Sequence, residues 1–408
     1  MARSQVLGLD VGSDKIKAVV AEPTPEGKFL LRAGFTRPSN GLRKGIVVDM
    51  DNATNSVAML LDKVREVSKG AVRNIYLRVG GADVRVQSSR GITAVSRANS
   101  EIYKDDVDRV VQASEAVNLP PNRTILHTIK REFIVDGVGD IHDPLGMIGS
   151  RLEVLSLIVD AFQPTIKNIS KCVEIAGGSI SGPVFGPLAS AEALLTDNQK
   201  ELGVISIDIG YGTTGIAVYE ENKLLHTRVF PVGAGHITND LAIALRIPVE
   251  VAEKVKLSYG YASSRGSSNK EKIDLQKLDP NTKGSPSRKF ISEVIEVRLR
   301  EICDLINNDL RAIDKEKNLP AGAVLTGGGV KLPGTVDLFK EELKLATNIG
   351  LPPASLFETE SQSMLEFLES PEYSVALGLA LLSQNNNERR TSSNKEGIIP
   401  KILSTFRI

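Results

Sequence analysis

Two stretches of the chain pair a strand-end aspartate with a glycine-containing turn, a combination that could bind a magnesium-bound phosphate. The first, VLGLDVGSDKIKAVV, spans residues 6–20, and the second, VISIDIGYGTTGIAVYE, spans residues 204–220. In each stretch an apolar run ends on an aspartate, Asp10 or Asp208. Because carboxylate oxygens suit Mg²⁺, we expect both aspartates to act on this ion through coordinated water.

The turns after these aspartates contain glycine and small hydroxyl side chains. Glycine allows a tight hairpin between two strands, in which backbone N–H groups point into one concavity and can bind phosphate oxygens. A single Asp-x-Gly turn is also typical of an ordinary structural turn, but this chain has two. The candidate phosphate-binding residues are Gly12, Ser13, Gly210, Tyr211, Gly212, Thr213 and Thr214.

A third glycine element, AVLTGGGVKLPG at residues 323–334, follows another apolar strand. Gly327, Gly328 and Gly329 permit a close backbone approach to a flat base and its sugar, which side chains would block. Neither hairpin is a Walker P-loop, since GxxxxGK[ST] is absent and each turn joins a strand to a strand. The three elements together are far more specific than any one of them.

Composition narrows the classes of function. The 408 residues are 41% hydrophobic, which is enough for large cores in about two to four domains or subdomains. Basic and acidic residues both number 50, and no basic patch with interleaved aromatics is present, so nucleic acid is not expected as a partner. Cys172 and Cys303 are too few and too far apart for a disulfide framework or a zinc site, which fits a reducing cytoplasm.

No targeting or spanning segment is evident in the sequence. The N-terminus enters the first strand without the apolar segment of a signal peptide. No stretch approaches the roughly 18 uncharged apolar residues that a membrane span needs. Any membrane contact is therefore expected to be peripheral.

The three glycine elements resemble those of the actin-like ATPase superfamily, in which two similar domains each offer one hairpin to the phosphates and a late glycine loop holds the adenosine. Within it, the chain resembles the FtsA family of bacterial cell-division proteins. That resemblance covers essentially the whole chain and rests on SAEALL (190–195), GVISIDIGYGTTG (203–215), FPVGAGHITNDLA (230–242), RLREI (298–302), VLTGGGVKLPG (324–334) and an amphipathic C-terminus. The fold implied is α/β, an actin-like two-domain ATPase fold with an FtsA-type inserted subdomain.

The resemblance also implies roles in binding ATP and Mg²⁺. Lys17 stands where relatives place a phosphate-contacting lysine, although it could be a solvated strand residue. Glu253 and Lys256 resemble the pair that reaches the ribose and adenine, or else form a surface ion pair; Lys331 is a further candidate. Glu192 lies near where relatives orient the attacking water, or it organises the helix between domains. Whether ATP is hydrolysed is left open.

Changes in the predicted pattern of strands and helices along the chain indicate the domain boundaries. We expect a first large domain at 1–83 and 160–200, with an inserted β-rich subdomain at 84–159. A second large domain is expected at 201–247 and 321–383, with an inserted upper subdomain at 248–320. Residues 384–396 contain no large apolar side chain and are expected to be a disordered linker.

Residues 397–408 are predicted to form a membrane-targeting amphipathic helix. Ile399, Ile402, Leu403 and Phe406 fall at i, i+3, i+4 and i+7, on one helical stripe, with a polar, basic remainder. Pro400 is tolerable in the first turn. So short a helix should form only where its stripe is buried, and the alternative is a tail that packs on its own domain or on a partner.

The function implied by the resemblance is an adaptor that polymerises and holds FtsZ filaments at the cytoplasmic face of the bacterial membrane, at the division septum, with other divisome proteins as further candidate partners. The FtsZ C-terminal peptide is expected on the long helix of residues 290–317, where Arg298 and Arg300 could meet its acidic groups or be plain solvated charges. The alternatives are a type IV pilus assembly protein of the PilM kind, and a small-molecule kinase or chaperone ATPase of the same superfamily.

Overall fold

A computed structural model describes residues 5–97, 99–265, 269–393 and 406–407, with the backbone alone for 385–393 and 406–407. The strands are β1 (Val6–Val11), β2 (Lys15–Pro23), β3 (Phe29–Pro38), β4 (Leu42–Arg43), β5 (Ile46–Val47), β6 (Ile75–Val79), β7 (Arg85–Ala94), β8 (Arg123–Val135), β9 (Val138–Ile141), β10 (Arg151–Phe162), β11 (Ile180–Phe185), β12 (Val204–Ile209), β13 (Thr214–Glu220), β14 (Lys223–Phe230), β15 (Ala323–Thr326), β16 (Thr347–Ile349), β17 (Phe357–Thr359) and β18 (Phe406–Arg407).

The α-helices lie between these strands along the chain. They are α1 (Met50–Val67), α2 (Lys104–Ser114), α3 (Gln163–Ile175), α4 (Gly186–Leu194), α5 (Asp197–Leu202), α6 (Ala234–Leu245), α7 (Val249–Tyr259), α8 (Arg288–Ala312), α9 (Thr335–Leu343), α10 (Gln362–Leu368) and α11 (Ser374–Ser393).

The first large domain is built on a mixed sheet with the strand order β11-β6-β1-β2-β3-β17. Every residue of the central strand β1 is buried, and helices α1, α3, α4 and α11 pack on the sheet or on one another. A sheet covered by helices needs apolar side chains on both faces, which explains the nearly continuous apolar run of residues 6–11. Gly8 lets α11 approach β1, since a Cβ there would lie 2.0 Å from the Ala376 carbonyl oxygen.

The second large domain repeats this plan with the strand order β14-β13-β12-β15-β16. Antiparallel hairpins β1/β2 and β12/β13 occupy equivalent places in the two sheets, each beside a parallel strand, β6 or β15. Helix α8 begins where the Ser287 hydroxyl accepts a hydrogen bond from the Phe290 N–H. Its buried stripe, spaced at three and four residues, consists of Ile291, Ile295, Leu299, Ile302, Ile306 and Leu310.

The segment between β6 and α3 forms a separate small unit. Strands β8, β10 and β7 form an antiparallel sheet, with α2 packed on β7 and β10. Val110, Val111, Phe133, Leu152 and Val154 belong to a core of its own. The α/β two-domain fold with an inserted subdomain is therefore confirmed.

The C-terminal part of the second domain differs from the prediction. Strand β17 pairs with β3, and α10 and α11 pack against the first sheet and its helices, so residues 357–383 lie in the first domain and not in the second. The apolar run VALGLALL at residues 375–382, which lies in α11, indicates a buried segment. It carries no information about which of the two sheets covers that helix.

The chain after residue 383 also differs from the prediction. The helix α11 runs on to Ser393, through most of the expected linker 384–396. Helix propagation costs less than nucleation, so a helix fixed by buried packing up to Ser383 can extend into a polar sequence.

The predicted membrane helix lies mostly outside the described residues, and this includes Ile399, Ile402 and Leu403. Phe406 and Arg407 are described, and they form a two-residue strand parallel to β8, not a helix. The open edge of β8 offers unpaired backbone groups, whereas the predicted helix needs a surface that buries its stripe. Among the described residues, no helix has both the length and the apolar character to cross a membrane.

Candidate functional site

The two predicted hairpins face each other across a cleft between the large domains. A Cβ on Gly212 in the second hairpin would lie 3.0 Å from the Ser13 hydroxyl in the first hairpin. The same Ser13 oxygen accepts a hydrogen bond from the Gly45 N–H at 3.0 Å. The structure thus brings together two turns that are about 200 residues apart in sequence, around a cavity of about 570 Å³.

Each hairpin turn is held by its own backbone hydrogen bonds. The Gly12 N–H donates to the Lys15 carbonyl oxygen at 3.2 Å, and the Gly210 N–H donates to the Thr213 carbonyl oxygen at 2.9 Å. The second turn is also fixed from outside, since the Ala234 N–H donates to the Gly210 carbonyl oxygen. The predicted residues of both turns that line the cleft are Gly12, Ser13, Gly210, Tyr211, Gly212 and Thr213.

Asp10 and Asp208 lie one residue before the ends of their strands and line the cleft in different electrostatic settings. Arg78 of β6 donates from Nη1 to Asp10 Oδ1 at 3.4 Å. Burial raises the pKa of the Asp208 carboxyl, and the nearby charge of Asp10 acts in the same direction, against Arg78 and Lys17. A bound cation would relieve this desolvation, so the pair of aspartates fits a Mg²⁺ site.

The three consecutive glycines have different surroundings. Gly327 has φ +87°, and a Cβ there would lie 2.3 Å from Asp208 Oδ1; a Cβ on Gly329 would lie 2.5 Å from Ile209 Cγ2. At Gly328 the nearest atoms to a Cβ are those of Glu372, at 3.8 and 3.9 Å. Gly327 and Gly329 therefore keep the loop close to β12, while Gly328 is the glycine that leaves open space at the cleft.

Glu253 and Lys256 lie next to each other on α7, but only Glu253 lines the cleft. Lys256 is buried and donates to Glu253 Oε2 at 2.7 Å and to Thr238 Oγ1 at 2.9 Å. Thr238 also donates to Glu253. Lys256 therefore positions the Glu253 carboxylate from behind, and the surface ion pair considered as the alternative is instead largely buried.

Lys17 and Lys331 both line the cleft, as predicted, and both contact Glu372. Lys331 Nζ lies 2.7 Å from Glu372 Oε1, and Lys17 Nζ lies 3.8 Å from Glu372 Oε2. Lys17 is on β2 of the first domain, whereas Lys331 follows β15 of the second. Each of the two large domains thus contributes one of these cationic groups to the cleft.

Two predicted residues do not face the cleft. Thr214 is fully buried and donates to the Val232 carbonyl oxygen at 2.8 Å, so its hydroxyl serves the fold and not a phosphate. Glu192 on α4 accepts from Lys200 Nζ at 3.1 Å and is not among the residues around the cavity. Pro187 at the start of α4 does line the cleft, and five residues further along a helix point about 140° away.

Arg298 and Arg300 lie on α8, outside the cleft, and each is already ion-paired. Arg298 forms a bidentate contact with Asp240, at 2.7 and 2.8 Å, and also contacts Glu301. Arg300 contacts Glu296 and Glu342. These arginines are therefore neither free nor plainly solvated, and any acidic partner would have to compete with carboxylates of the chain itself.

Sequence reasoning did not assign four charged residues of the cleft, which are Asp14 and Lys15 in the first turn region, and Arg78 and Glu372 outside the three predicted segments. The sequence did contain a signal for Arg78, because it is the one charge in the otherwise apolar strand IYLRV. A charge in such a strand needs a partner when it is buried. Glu372 had no such signal, because it lies in a short turn, Pro371–Tyr373, far along the chain from both hairpins. Only folding brings this turn to the glycine loop, where the Pro371 carbonyl oxygen accepts from the Gly327 N–H.

Each hairpin supplies a carboxylate near its strand end and a glycine turn, and the two turns face each other beside the glycine loop. Together these groups can hold a cation and a polyphosphate. Among the described residues, no group of three or more His, Cys, Asp or Glu side chains could hold a metal ion by itself. A Mg²⁺ ion here would therefore need phosphate oxygens and water to complete its six ligands.

Solved structures with the same architecture define the class of the chain. A PilM–PilN type IV pilus biogenesis complex superimposes with a TM-score of 0.65 and 19% identity, over 93% of this chain and 98% of that chain. MreB5 of Spiroplasma citri bound to ADP superimposes with a TM-score of 0.56 and 14% identity, over 96% of this chain and 99% of that chain. The chain is thus a protein with the actin-like ATPase fold.

Sequence relatives narrow this class to one family. Cell division protein FtsA of Borreliella burgdorferi is 34% identical over 100% of this chain and 98% of its own length, and that of Bacillus subtilis is 35% identical over 85% and 78%. The family model for cell division protein FtsA matches residues 205–378, and that for the SHS2 domain inserted in FtsA matches residues 81–159. The chain belongs to the FtsA family of cell division proteins, which confirms the resemblance seen in the sequence.

Proposed function

We propose that this protein binds magnesium-ATP in the cleft and acts as an adaptor that links FtsZ filaments to the membrane during cell division. The observation that carries the nucleotide part is the meeting of two Asp-Gly hairpins and a glycine loop around one cavity. The ADP-bound MreB5 relative has the same fold and supports this assignment. Membership of the FtsA family favours the cell-division role over the pilus-assembly, kinase and chaperone alternatives.

Asp10 and Asp208 would hold Mg²⁺, which neutralises phosphate charge when bound. The N–H groups and hydroxyls of the two turns would bind the phosphate oxygens, with Lys17 beside them. Gly328 would leave room for the nucleoside, and Glu253, fixed by Lys256, would accept hydrogen bonds from its hydroxyls. No residue is assigned to orient the attacking water, because Glu192 lies outside the cleft.

We place the FtsZ C-terminal peptide on a shallow groove between α6 and α8, of about 340 Å³. Its apolar wall includes Ile243, 77% exposed, and Val297, 69% exposed. Arg298, Asp240 and Glu301 form its polar rim. This groove lies on the helix that the sequence predicted as the partner surface, and it offers an apolar anchor site in addition to the arginines.

The membrane part of the proposal rests on the sequence of residues 397–408. Their apolar stripe should become helical on lipid, and attachment of one copy should be weak because the stripe is short. Filament formation would raise the number of anchors per particle and so lengthen membrane residence. Self-association and the membrane anchor are therefore proposed to act together.

The test is co-sedimentation of the full-length protein with FtsZ and liposomes, with and without magnesium-ATP. We expect FtsZ to pellet with liposomes when the wild-type protein is present and to stay in the supernatant without it. Val297→Glu should release FtsZ while the variant itself still pellets, and deletion of residues 397–408 should leave both proteins in the supernatant. Val67→Glu is the matched control, since Val67 is 55% exposed on α1. FtsZ recruitment that survives both changes would contradict the proposal.

A further inference from the structure

The turn Pro371–Tyr373 carries a carboxylate into the centre of the cleft's cationic groups. Its position is fixed by the glycine loop, since the Pro371 carbonyl oxygen accepts from the Gly327 N–H at 3.1 Å and from Thr326 Oγ1 at 2.9 Å. The side chain of Glu372 then lies beside Gly328. The carboxylate therefore borders the place proposed for the nucleotide.

Glu372 joins cations that come from both domains. Lys331 Nζ is 2.7 Å from Glu372 Oε1, and Lys17 Nζ is 3.8 Å from Glu372 Oε2. The side chains of Lys17 and Glu372 are only 14% and 17% exposed, whereas that of Lys331 is 53% exposed. Solvent screening between Lys17 and Glu372 is consequently weaker than at an open surface.

The carboxylate is charged at neutral pH. Burial by itself raises the pKa of the Glu372 carboxyl, but the hydrogen bond from Lys331 and the charges of Lys17 and Lys331 outweigh burial and hold its pKa below the ordinary value. Lys17 and Lys331 thus present about one net positive charge to a polyphosphate instead of two, while Lys15, which also lines the cleft, acts on Glu372 more weakly.

We propose that Glu372 is an internal counter-ion that competes with the nucleotide polyphosphate for Lys17 and Lys331. It thereby lowers the affinity of the protein for the nucleotide, and this effect increases with the number of phosphates. This inference rests on the nucleotide site proposed above. A polyphosphate that binds Lys17 comes close to the Glu372 carboxylate. The repulsion between these negative charges offsets part of the attraction between the phosphates and the lysine. Glu372 is a residue that tunes affinity, and it takes no part in phosphate chemistry.

The first test measures the affinity of the full chain for MgATP, MgADP and adenosine by calorimetry. Glu372→Gln removes the charge but keeps the shape. We expect its affinity for MgATP to rise on the order of tenfold, its affinity for MgADP to rise less, and its affinity for adenosine to stay unchanged. Glu358→Gln is the matched control, because Glu358 also pairs with a lysine, Lys28 at 3.2 Å, away from the cleft.

The second test is a double-mutant cycle with Lys331→Gln. Lys331→Gln alone leaves the Glu372 carboxylate without its nearest cation, so it should lower MgATP affinity. In the Glu372→Gln background it should remove most of the gain. A double variant that binds MgATP no more tightly than Lys331→Gln alone would overturn the counter-ion assignment.

Other outcomes of the first test are equally decisive. Unchanged MgATP affinity in Glu372→Gln, with a wild type that binds MgATP, would refute the inference alone. Loss of MgATP and adenosine binding together would show that Glu372 supports the nucleoside pocket, which also refutes it. A wild type that binds neither ligand would refute the nucleotide site and this inference with it. Glu372→Asp keeps the charge and should bind MgATP nearly as the wild type does.

Discussion

At the scale of single residues, residues of the same type have different roles in the structure. The three glycines after β15 show this, because two of them are required by close contacts with β12 and one is not. Asp10 and Asp208 also differ, since Arg78 contacts the first while burial dominates the second. The consequences can be measured one substitution at a time.

Substitutions at Gly327 and Gly328 should separate stability from binding. Gly328→Ala should be tolerated, whereas Gly328→Asp should lower MgATP affinity at least tenfold by filling the site and repelling phosphate, with little change in unfolding temperature. Gly327→Ala should lower stability by about 1–3 kcal/mol, because φ is +87° and a Cβ would meet Asp208. Calorimetry and thermal unfolding of the three variants provide the measurements. A Gly328→Asp protein that binds MgATP normally would remove the loop from the site.

Asp208→Asn should stabilise the protein and abolish its magnesium-dependent binding. Since burial raises the folded pKa of this carboxyl above its unfolded value, the folded state binds the proton more tightly, and stability falls as pH rises through these values. Removing the charge should therefore raise the unfolding temperature at neutral pH, and the affinity for MgATP should fall at least tenfold. Thermal unfolding at pH 7.5 and calorimetry with and without Mg²⁺ test both parts. A destabilised variant would contradict the pKa argument.

At the scale of elements, β8 ties the inserted subdomain to the first domain. The fully buried His127 accepts a hydrogen bond from the Phe185 N–H of β11 at its Nε2, at 3.0 Å. Arg123 on the same strand contacts Asp160 of β10 and the Asp83 carbonyl oxygen. Burial lowers the pKa of His127 to about 3, so the imidazole is neutral in the folded protein.

The buried histidine predicts a loss of stability in acid. An unfolded histidine has a pKa near 6.5, so below that pH the unfolded chain binds a proton that the folded protein refuses until about pH 3. His127 should therefore contribute a slope of about 1.4 kcal/mol per pH unit between these values. Denaturant unfolding at pH 7.0, 6.0 and 5.0 measures it, with His127→Gln as the variant in which this part of the slope disappears. Equal slopes in both proteins would show that His127 titrates in the folded state.

At the scale of the whole molecule, the described residues form three apolar cores, and one of these includes Val204 and Val324 of the second sheet as well as residues of the first. The insert reaches the second domain through Lys223, whose Nζ lies 2.6 Å from Asp140 Oδ1. The insert exposes four large apolar side chains from one short stretch of the chain, here called the insert patch: Val138, Leu145, Met147 and Ile148. Exposed apolar surface of this kind is typical of an interaction site.

We expect this patch to take part in head-to-tail self-association. A repeated heterologous contact that does not close generates open filaments. Ile148→Glu, at a side chain that is 76% exposed, should reduce sedimentable protein on lipid with MgATP severalfold, and Ile175→Glu on α3, 60% exposed, is the matched control. Electron microscopy on a lipid monolayer should show filaments only for the wild type and the control. Equal filament formation by Ile148→Glu would move the contact away from the insert.

The sequence by itself determined the class of fold and the three segments of the cleft, because strand-end aspartates, glycine turns and apolar runs are local patterns. It also placed α8, whose apolar stripe is regular over 25 residues. The assignment of residues 357–383 to a domain could not be made in this way, since α11 is equally apolar whichever sheet it covers. Directions of side chains were also undecided, as Thr214 and Glu192 show.

Tertiary structure decided which charges meet. Arg78 and Glu372 enter the cleft from strands and turns far from the hairpins, and Lys256 turns inward to hold Glu253. Such placements depend on long-range packing of two sheets and on the cost of leaving a buried charge unpaired. Local sequence patterns therefore located the three segments of the cleft, and only the packing of the whole chain fixed its electrostatics.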